Sequence, residues 1–236
     1  MNLRRRIAER IERGRLNSVA RAVLDDRLTY LSFEKLRRID VALAQTRELS
    51  GDVVEFGVAL GGSGIILASE LPAGSRFLGF DVFAMIPPPT SEKDDEKSKA
   101  RYETIRSGQS SGIGNDQYYG YRDDLLTDVQ ASFARHGVPV DGRRIQLVRG
   151  LFEDSWPASA PERIALVHID CDWYDPVRYC LAAAADRLAP GGIMVIDDYN
   201  DYGGCRTAVD EFIAARADFR LEPGANPFLR KLAQQP

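Results

Sequence analysis

The sequence predicts an α/β domain built on a mainly parallel, doubly wound sheet with an antiparallel hairpin at its C-terminal end. Three observations carry this. Five short apolar runs alternate with segments of helical periodicity, the pattern of strands buried on both faces. A glycine-bearing turn follows the first run directly. Aspartates gather at the carboxyl ends of the runs, where open α/β sheets bind their ligands. With 236 residues and 44% hydrophobic content, the chain is long enough for one large core.

The opening MNLRRRIAERIERGR reads as an amphipathic helix with Leu3, Ile7 and Ile11 on one face and a basic remainder. A second helix is expected over 32–47, with Phe33, Leu36, Ile39 and Leu43 at helical spacing. Residues 1–50 are expected to form an N-terminal helical region, a lid or a dimer contact, and 51–236 the main domain. The expected strands are DVVEFG (52–57), RFLGFD (76–81), RIQLVR (144–149), RIALVHID (163–170) and GIMVID (192–197). Helices are expected near 63–70, 121–136, 176–188 and 204–216. For 176–188, Asp175 serves as N-cap, Pro176 as first helical residue, and PGG at 190–192 ends the helix. The tail DFRLEPGANPFLRKLA has two apolar segments around a Pro/Gly turn, hence the hairpin. One interval breaks the rhythm. Residues 84–120 are rich in Pro, Lys, Asp, Ser and Gly, and a loop of that length reads as a lid over the site or a surface insertion.

Composition narrows the partners. A formal net charge of -4 gives no general pull toward nucleic acid or an anionic membrane, which leaves a small molecule as the partner class. Cys171, Cys180 and Cys205 lack ligand-like spacing and read as free thiols in a reducing compartment. The N-terminus shows no apolar signal core, and no apolar run reaches membrane-spanning length. A cytoplasmic location and a homo-oligomer are expected.

The segment DVVEFGVALGGSG is a strand, a turn and the start of a helix. Gly57 permits a tight turn beside a ligand, Gly61 and Gly62 permit close backbone approach, and Ser63 is placed to cap the helix. Glu55, inside the strand's end, suits an ammonium-bearing ligand or orders nearby backbone N–H groups. Asp81 ends the second strand 24 residues beyond Gly57, near the offset of a ribose-binding acid. Gly150, Phe152 and Glu153 follow the third strand and could flank an adenine, with Phe152 equally suited to the core. A phosphate cradle of the G-x-x-x-x-G-K-[ST] type is missing from the turn.

Asp170 terminates the fourth strand and Asp197 and Asp198 the fifth, and such ends converge on one crevice. Three carboxylates there make an oxygen-only site suited to Mg2+. Asp172, two residues beyond Asp170, is a general base or an acid behind the ligands. His168 is either a structural or a catalytic histidine.

VVEFGVALGGSG, GFDVF, VRGLFEDSW, HIDCDWYDP and LAPGGIMVIDDYNDYGGCRTAVDEF occur in the order seen in the macrocin O-methyltransferase family. The chain resembles that family over residues 50–215. The resemblance implies a Rossmann-like class I methyltransferase fold and a reaction that uses S-adenosyl-L-methionine and Mg2+ to methylate a hydroxyl of a sugar or glycosylated natural product. It implies cofactor contacts at Glu55, Gly57, Ser63, Asp81, Gly150 and Glu153, metal ligands at Asp170, Asp197 and Asp198, and Asp172 as base. Two departures stand out: GFDVF leads into AMIPPPTSEKDDEKSKA where the family commonly has a glycine-bearing stretch, and Cys171 replaces a common glycine. Three rival readings are open. A phenolic or catecholic acceptor would stack on the YYGY run at 118–121 as well as a sugar would. A non-catalytic relative would keep only cofactor binding, and a nicotinamide oxidoreductase would leave the three aspartates unused.

Overall fold

The computed structural model describes residues 10–233. The seven-stranded sheet has the order β3-β2-β1-β4-β5-β7-β6. Its strands are β1 (Asp52–Phe56), β2 (Phe77–Asp81), β3 (Ile145–Arg149), β4 (Ile164–Ile169), β5 (Leu188–Ile196), β6 (Phe219–Glu222) and β7 (Phe228–Lys231). The first five run parallel. The tail forms the expected hairpin, with β7 antiparallel to both β5 and β6. β1, β2 and β4 are buried along their whole length, as continuous apolar runs require, whereas β3 is half-exposed at the sheet edge.

Helices cover both faces. They are α1 (Ser18–Asp25), α2 (Phe33–Thr46), α3 (Gly62–Ser69), α4 (Glu96–Arg106), α5 (Leu125–Arg135), α6 (Phe152–Ser159), α7 (Tyr174–Ala185) and α8 (Gly203–Ala215). Leu36 and Ile39 of α2, Ile65 of α3 and Phe133 of α5 join one core; Trp156 of α6, Leu181 of α7 and Val209 of α8 join the other. The expected 32–47 helix starts where Ser32 accepts from the Lys35 backbone N–H. Of the expected N-terminal helix, Leu3 and Ile7 lie outside the described residues; Ile11 sits in a helical stretch and is exposed.

Several details differ from expectation, and each has a local cause. The helix over 176–188 begins earlier, at Tyr174, with Pro176 in its third position. Its cap comes from across the chain: Asp94 accepts from the Tyr174 N–H at 2.8 Å, in place of Asp175. PGG at 190–192 does not end that helix; it lies inside β5, which begins at Leu188 because Leu188 already pairs with Ile164. A register shift between Ile164 and Leu166 accommodates the extra residues. Helices α1, α4 and α6 were not expected. α4 turns the 84–120 interval into a structured element, started by Asp95 accepting from the Ser98 N–H.

The same interval is tied down at its base. Asp95 also accepts from the Gly203 N–H at 2.8 Å, capping α8, while Asp94 caps α7. Trp173 donates its indole N–H to the Pro87 carbonyl, and Lys93 bonds the Tyr174 hydroxyl and Glu211. Adjacent carboxylates thus satisfy the orphan donors of separate helices. Among the described residues, no helix is long and apolar enough to cross a membrane.

Candidate active site

The strand order reverses between β1 and β4, and the loops leaving β1, β2, β3, β4 and β5 line a cavity of about 650 Å³ at that switch point. One wall is the β1 turn. Gly57 sits at φ 91°, and a Cβ there would lie 1.8 Å from the Asp170 carbonyl oxygen, so only glycine fits. Gly61, also left-handed at φ 89°, opens α3 without a side-chain cap. Ser63 therefore does not cap the helix; it is the second helical residue, buried, and faces the cavity.

Asp81 lines the same wall. Its carboxylate accepts from the backbone N–H groups of Val58 at 2.8 Å, Ala59 at 2.9 Å and Phe83 at 2.6 Å. Burial pushes its pKa up, and those donors favour the charged form against it. The carboxylate thus shapes the β1 turn. Beyond the neighbouring strand β3, Leu151, Phe152 and Glu153 also line the cavity. Phe152 also packs edge-on against Phe56 at 5.3 Å, so it serves the core and the wall together. Gly150 does not line the cavity; its N–H donates to the Asp81 carbonyl and sets the turn from β3 into α6.

Glu55 is not on the wall either. It is fully buried beneath it, with Oε1 2.9 Å from His168 Nδ1, because β1 and β4 pair these residues in register. Its second oxygen has no hydrogen-bond partner among the described residues. Burial raises its pKa, while His168 favours the carboxylate. His168, equally buried, has its own pKa held up to about 10: burial opposes this, but Asp197 and Glu55 outweigh it. His168 Nε2 lies 4.0 Å from Asp197 Oδ1, beyond hydrogen-bond reach.

The floor is acidic. Asp170 and Asp197 follow β4 and β5 immediately, held by N–H bonds to Phe56 O and Ile169 O, both 2.9 Å. One oxygen from each of Asp170, Asp197 and Asp198 falls within 4.8 Å of the others. Burial, then mutual repulsion, drives the pKa values of Asp170 and Asp198 well above the ordinary range. Asp197 goes the other way: burial would raise it, but His168 and Lys35 bring it down. Lys35 Nζ bonds Asp197 Oδ2 and Asp201 Oδ2, each at 2.7 Å. The donor set is hard oxygen throughout and carries more negative charge than Lys35 balances, which fits a divalent cation such as Mg2+. Asp172 adopts φ 59° and donates its N–H to Asp198 Oδ2 at 3.0 Å. Burial and then Asp197 raise its pKa to about 7. The interval 84–120 contributes Lys97, Arg101, Ile105, Tyr118 and Tyr119 to the remaining wall.

Sequence reading missed Lys35, Arg101 and Tyr202 as cavity residues. For Lys35 a signal existed: a lysine in the first turn of α2, at the positive end of the helix dipole, is unfavourable unless an acid meets it.

The macrocin-O-methyltransferase (TylF) family profile matches residues 28–218. A relative from Streptomyces olivaceus, the 8-demethyl-8-(2,3-dimethoxy-alpha-L-rhamnosyl)-tetracenomycin-C 4'-O-methyltransferase, is 30% identical over 166 residues, 69% of this chain and 58% of the relative. The mycinamicin III 3''-O-methyltransferase of Micromonospora griseorubida is 30% identical over 167 residues, 69% of this chain and 60% of the relative. The matched region thus spans about three fifths of the length of these curated relatives. The solved structure of the O-methyltransferase NovP shares the fold, with a TM-score of 0.71 at 21% identity, over 88% of this chain and 83% of that one.

Proposed function

The chain belongs to the macrocin O-methyltransferase family, and from that premise we propose that it transfers the methyl group of S-adenosylmethionine to a hydroxyl of a sugar or glycosylated natural product, with Mg2+ at the acidic floor. The observation that carries this reading is a single cavity joining the Gly57–Asp81 wall to the Asp170, Asp197 and Asp198 floor. The two relatives named above are a 4'- and a 3''-O-methyltransferase, which supports a hydroxyl acceptor.

When bound, the cofactor supplies an electrophilic methyl group and the metal supplies positive charge that favours an ionised hydroxyl. The residues of the chain do the rest. Asp81 and the Gly57 turn bind the cofactor's ribose end, and Ser63, Phe152 and Glu153 line the space beside it. Gly150 and Glu55 act from behind the wall, the first by shaping the turn, the second by pairing with His168. Asp170, Asp197 and Asp198 hold the metal, Lys35 keeps one oxygen of Asp197 fixed, and Asp172 accepts the acceptor's proton on its carboxylate.

The test is incubation with S-adenosylmethionine, Mg2+ and a panel of glycosides, sugar nucleotides and catechols, read by mass spectrometry for one added methyl group. Methylation of a catechol in preference to every sugar would overturn the acceptor class. Replacing Asp81 by Ala should lower the affinity for S-adenosylhomocysteine by about 1–3 kcal/mol, since the β1 turn loses two anchoring bonds, from Val58 and Ala59, and the loop after β2 loses one, from Phe83, as well as any ribose contact. Unchanged affinity by calorimetry would remove Asp81 from cofactor binding.

The 84–120 interval is proposed as a lid over the bound pair. Asp94 and Asp95 anchor its first part, so closure belongs to the stretch after α4. Hydrogen exchange over residues 107–120 should slow on adding cofactor, metal and acceptor together. Equal exchange in free and loaded protein would reject the lid.

A further inference from the structure

Strand β7 pairs with β5 so that Ile193 meets Arg230, Met194 meets Leu229 and Val195 meets Phe228. The Ile196 N–H then donates to the Pro227 carbonyl at 3.0 Å. One step further, the same register sets Asn226 opposite Asp197, the first residue past β5. The Asn226 side chain is wholly buried and does not line the cavity, whereas Asp197 does. Its amide nitrogen lies 3.5 Å from Asp197 Oδ1 and 3.3 Å from the Lys35 carbonyl oxygen. Both neighbours are acceptors, so the end of the amide that meets them is the NH2. Asp197 is thereby held at both oxygens, Oδ2 by Lys35 Nζ at 2.7 Å and Oδ1 by Asn226. Each oxygen keeps a second lone pair for a cation. The turn that carries Asn226 is braced as well. Arg38 donates its Nε–H to the Asn226 carbonyl at 2.9 Å, with its guanidinium 3.9 Å over the Phe228 ring, and Asn200 donates to the Gly224 and Ala225 carbonyls. Packing alone does not call for an amide here. Among the described residues Asn226 Oδ1 has no hydrogen-bond partner, and a buried amide with its acceptor unmet is costlier than an apolar side chain of the same size.

We propose that Asn226 is a positioning residue for the metal ligand Asp197, delivered to it by the β5–β7 register. This rests on the Mg2+ reading of the acidic floor and gives the C-terminal hairpin a part in building the metal site. A neutral donor suits the task. It fixes the orientation of the carboxylate without setting a second positive charge beside Lys35, where it would oppose the ion.

The probe is Mn2+, a hard cation that accepts the same oxygen ligands, titrated into protein loaded with S-adenosylhomocysteine and followed by loss of the free ion's electron paramagnetic resonance signal. Asn226→Leu removes the amide at similar volume, and Asn226→Ala removes it without filling its place. Both should bind Mn2+ about 10-fold more weakly, the lower end of the roughly 10–100-fold usual when a partner behind a metal ligand is lost, because the 3.5 Å contact is long. Affinity for S-adenosylhomocysteine should stay constant in both and reports that the site is folded. Arg230→Gln is the structural control. Arg230 ties β7 to Glu222, Gln45 and the Gly191 carbonyl and touches neither Asn226 nor Asp197, so its loss should lower the urea midpoint and leave Mn2+ affinity unchanged. Three results overturn the inference and leave the metal reading intact: both Asn226 variants bind Mn2+ as tightly as the parent, only one of them loses affinity, which assigns the effect to packing, or Arg230→Gln loses as much, which assigns it to hairpin stability. A parent that binds no Mn2+ overturns the metal reading and the inference with it.

Discussion

Replacing Asp172 by Asn lowers the single-turnover methyl-transfer rate by about 10²–10⁴-fold, the usual worth of a positioned general base. The substitution is well matched to its place. Asp172 holds φ 59°, a left-handed conformation that asparagine tolerates better than most residues. The backbone N–H that donates to Asp198 is retained. Asp170, Asp197 and Asp198 keep all their oxygens, so Mg2+ affinity should hold within a few-fold, whereas Asp197→Asn should weaken it by removing a hard anionic donor. Rates at saturating cofactor and acceptor, set beside Mg2+ titrations, separate the two roles. Full activity in Asp172→Asn excludes it as base; lost Mg2+ binding in that variant makes it a ligand.

Replacing His168 by Ala should destabilise the fold by about 3–5 kcal/mol, the cost of stranding one partner of a buried ion pair. Glu55 and His168 are both wholly buried, on neighbouring strands and in register, and Glu55 already has one unpartnered oxygen. Removing the imidazole leaves the buried carboxyl without the partner that pairs it across the strands. Urea unfolding checks this, with the pair replaced together by Leu as the companion variant, expected to cost less than His168→Ala alone. A loss of only about 0–1 kcal/mol, the range of exposed pairs, would show that Glu55 sits there neutral and indifferent to its partner.

Each sequence signal reaches only a limited distance along the chain. Strands β1, β2, β4 and β5 were legible because burial on both faces writes a continuous apolar run, and the hairpin because turn residues separate its halves. α4 was not, because EKSKARYETIR has no sustained apolar stripe; its cap and its outer ion pairs support it instead. α6 was hidden by Pro157 inside a short, mixed segment.

The sequence by itself determined the fold class, the glycine turn and the gathering of Asp170, Asp197 and Asp198, since parallel strands send all their carboxyl ends to one edge and residues just past those ends must meet. Tertiary structure alone decided which polar groups face the cavity and which support it from behind. Glu55 looked like a wall residue until the β1–β4 register placed it against His168. Asp175 looked like a cap until Asp94, far away in sequence, took the Tyr174 N–H. Lys35 and Arg101 carried no motif, yet one meets Asp197 and the other lines the cavity. The reason is range. Backbone preference and burial periodicity act over a few residues and can be read locally, whereas a charge is satisfied by whatever the fold brings within a few ångströms, and its partner can lie anywhere in the chain.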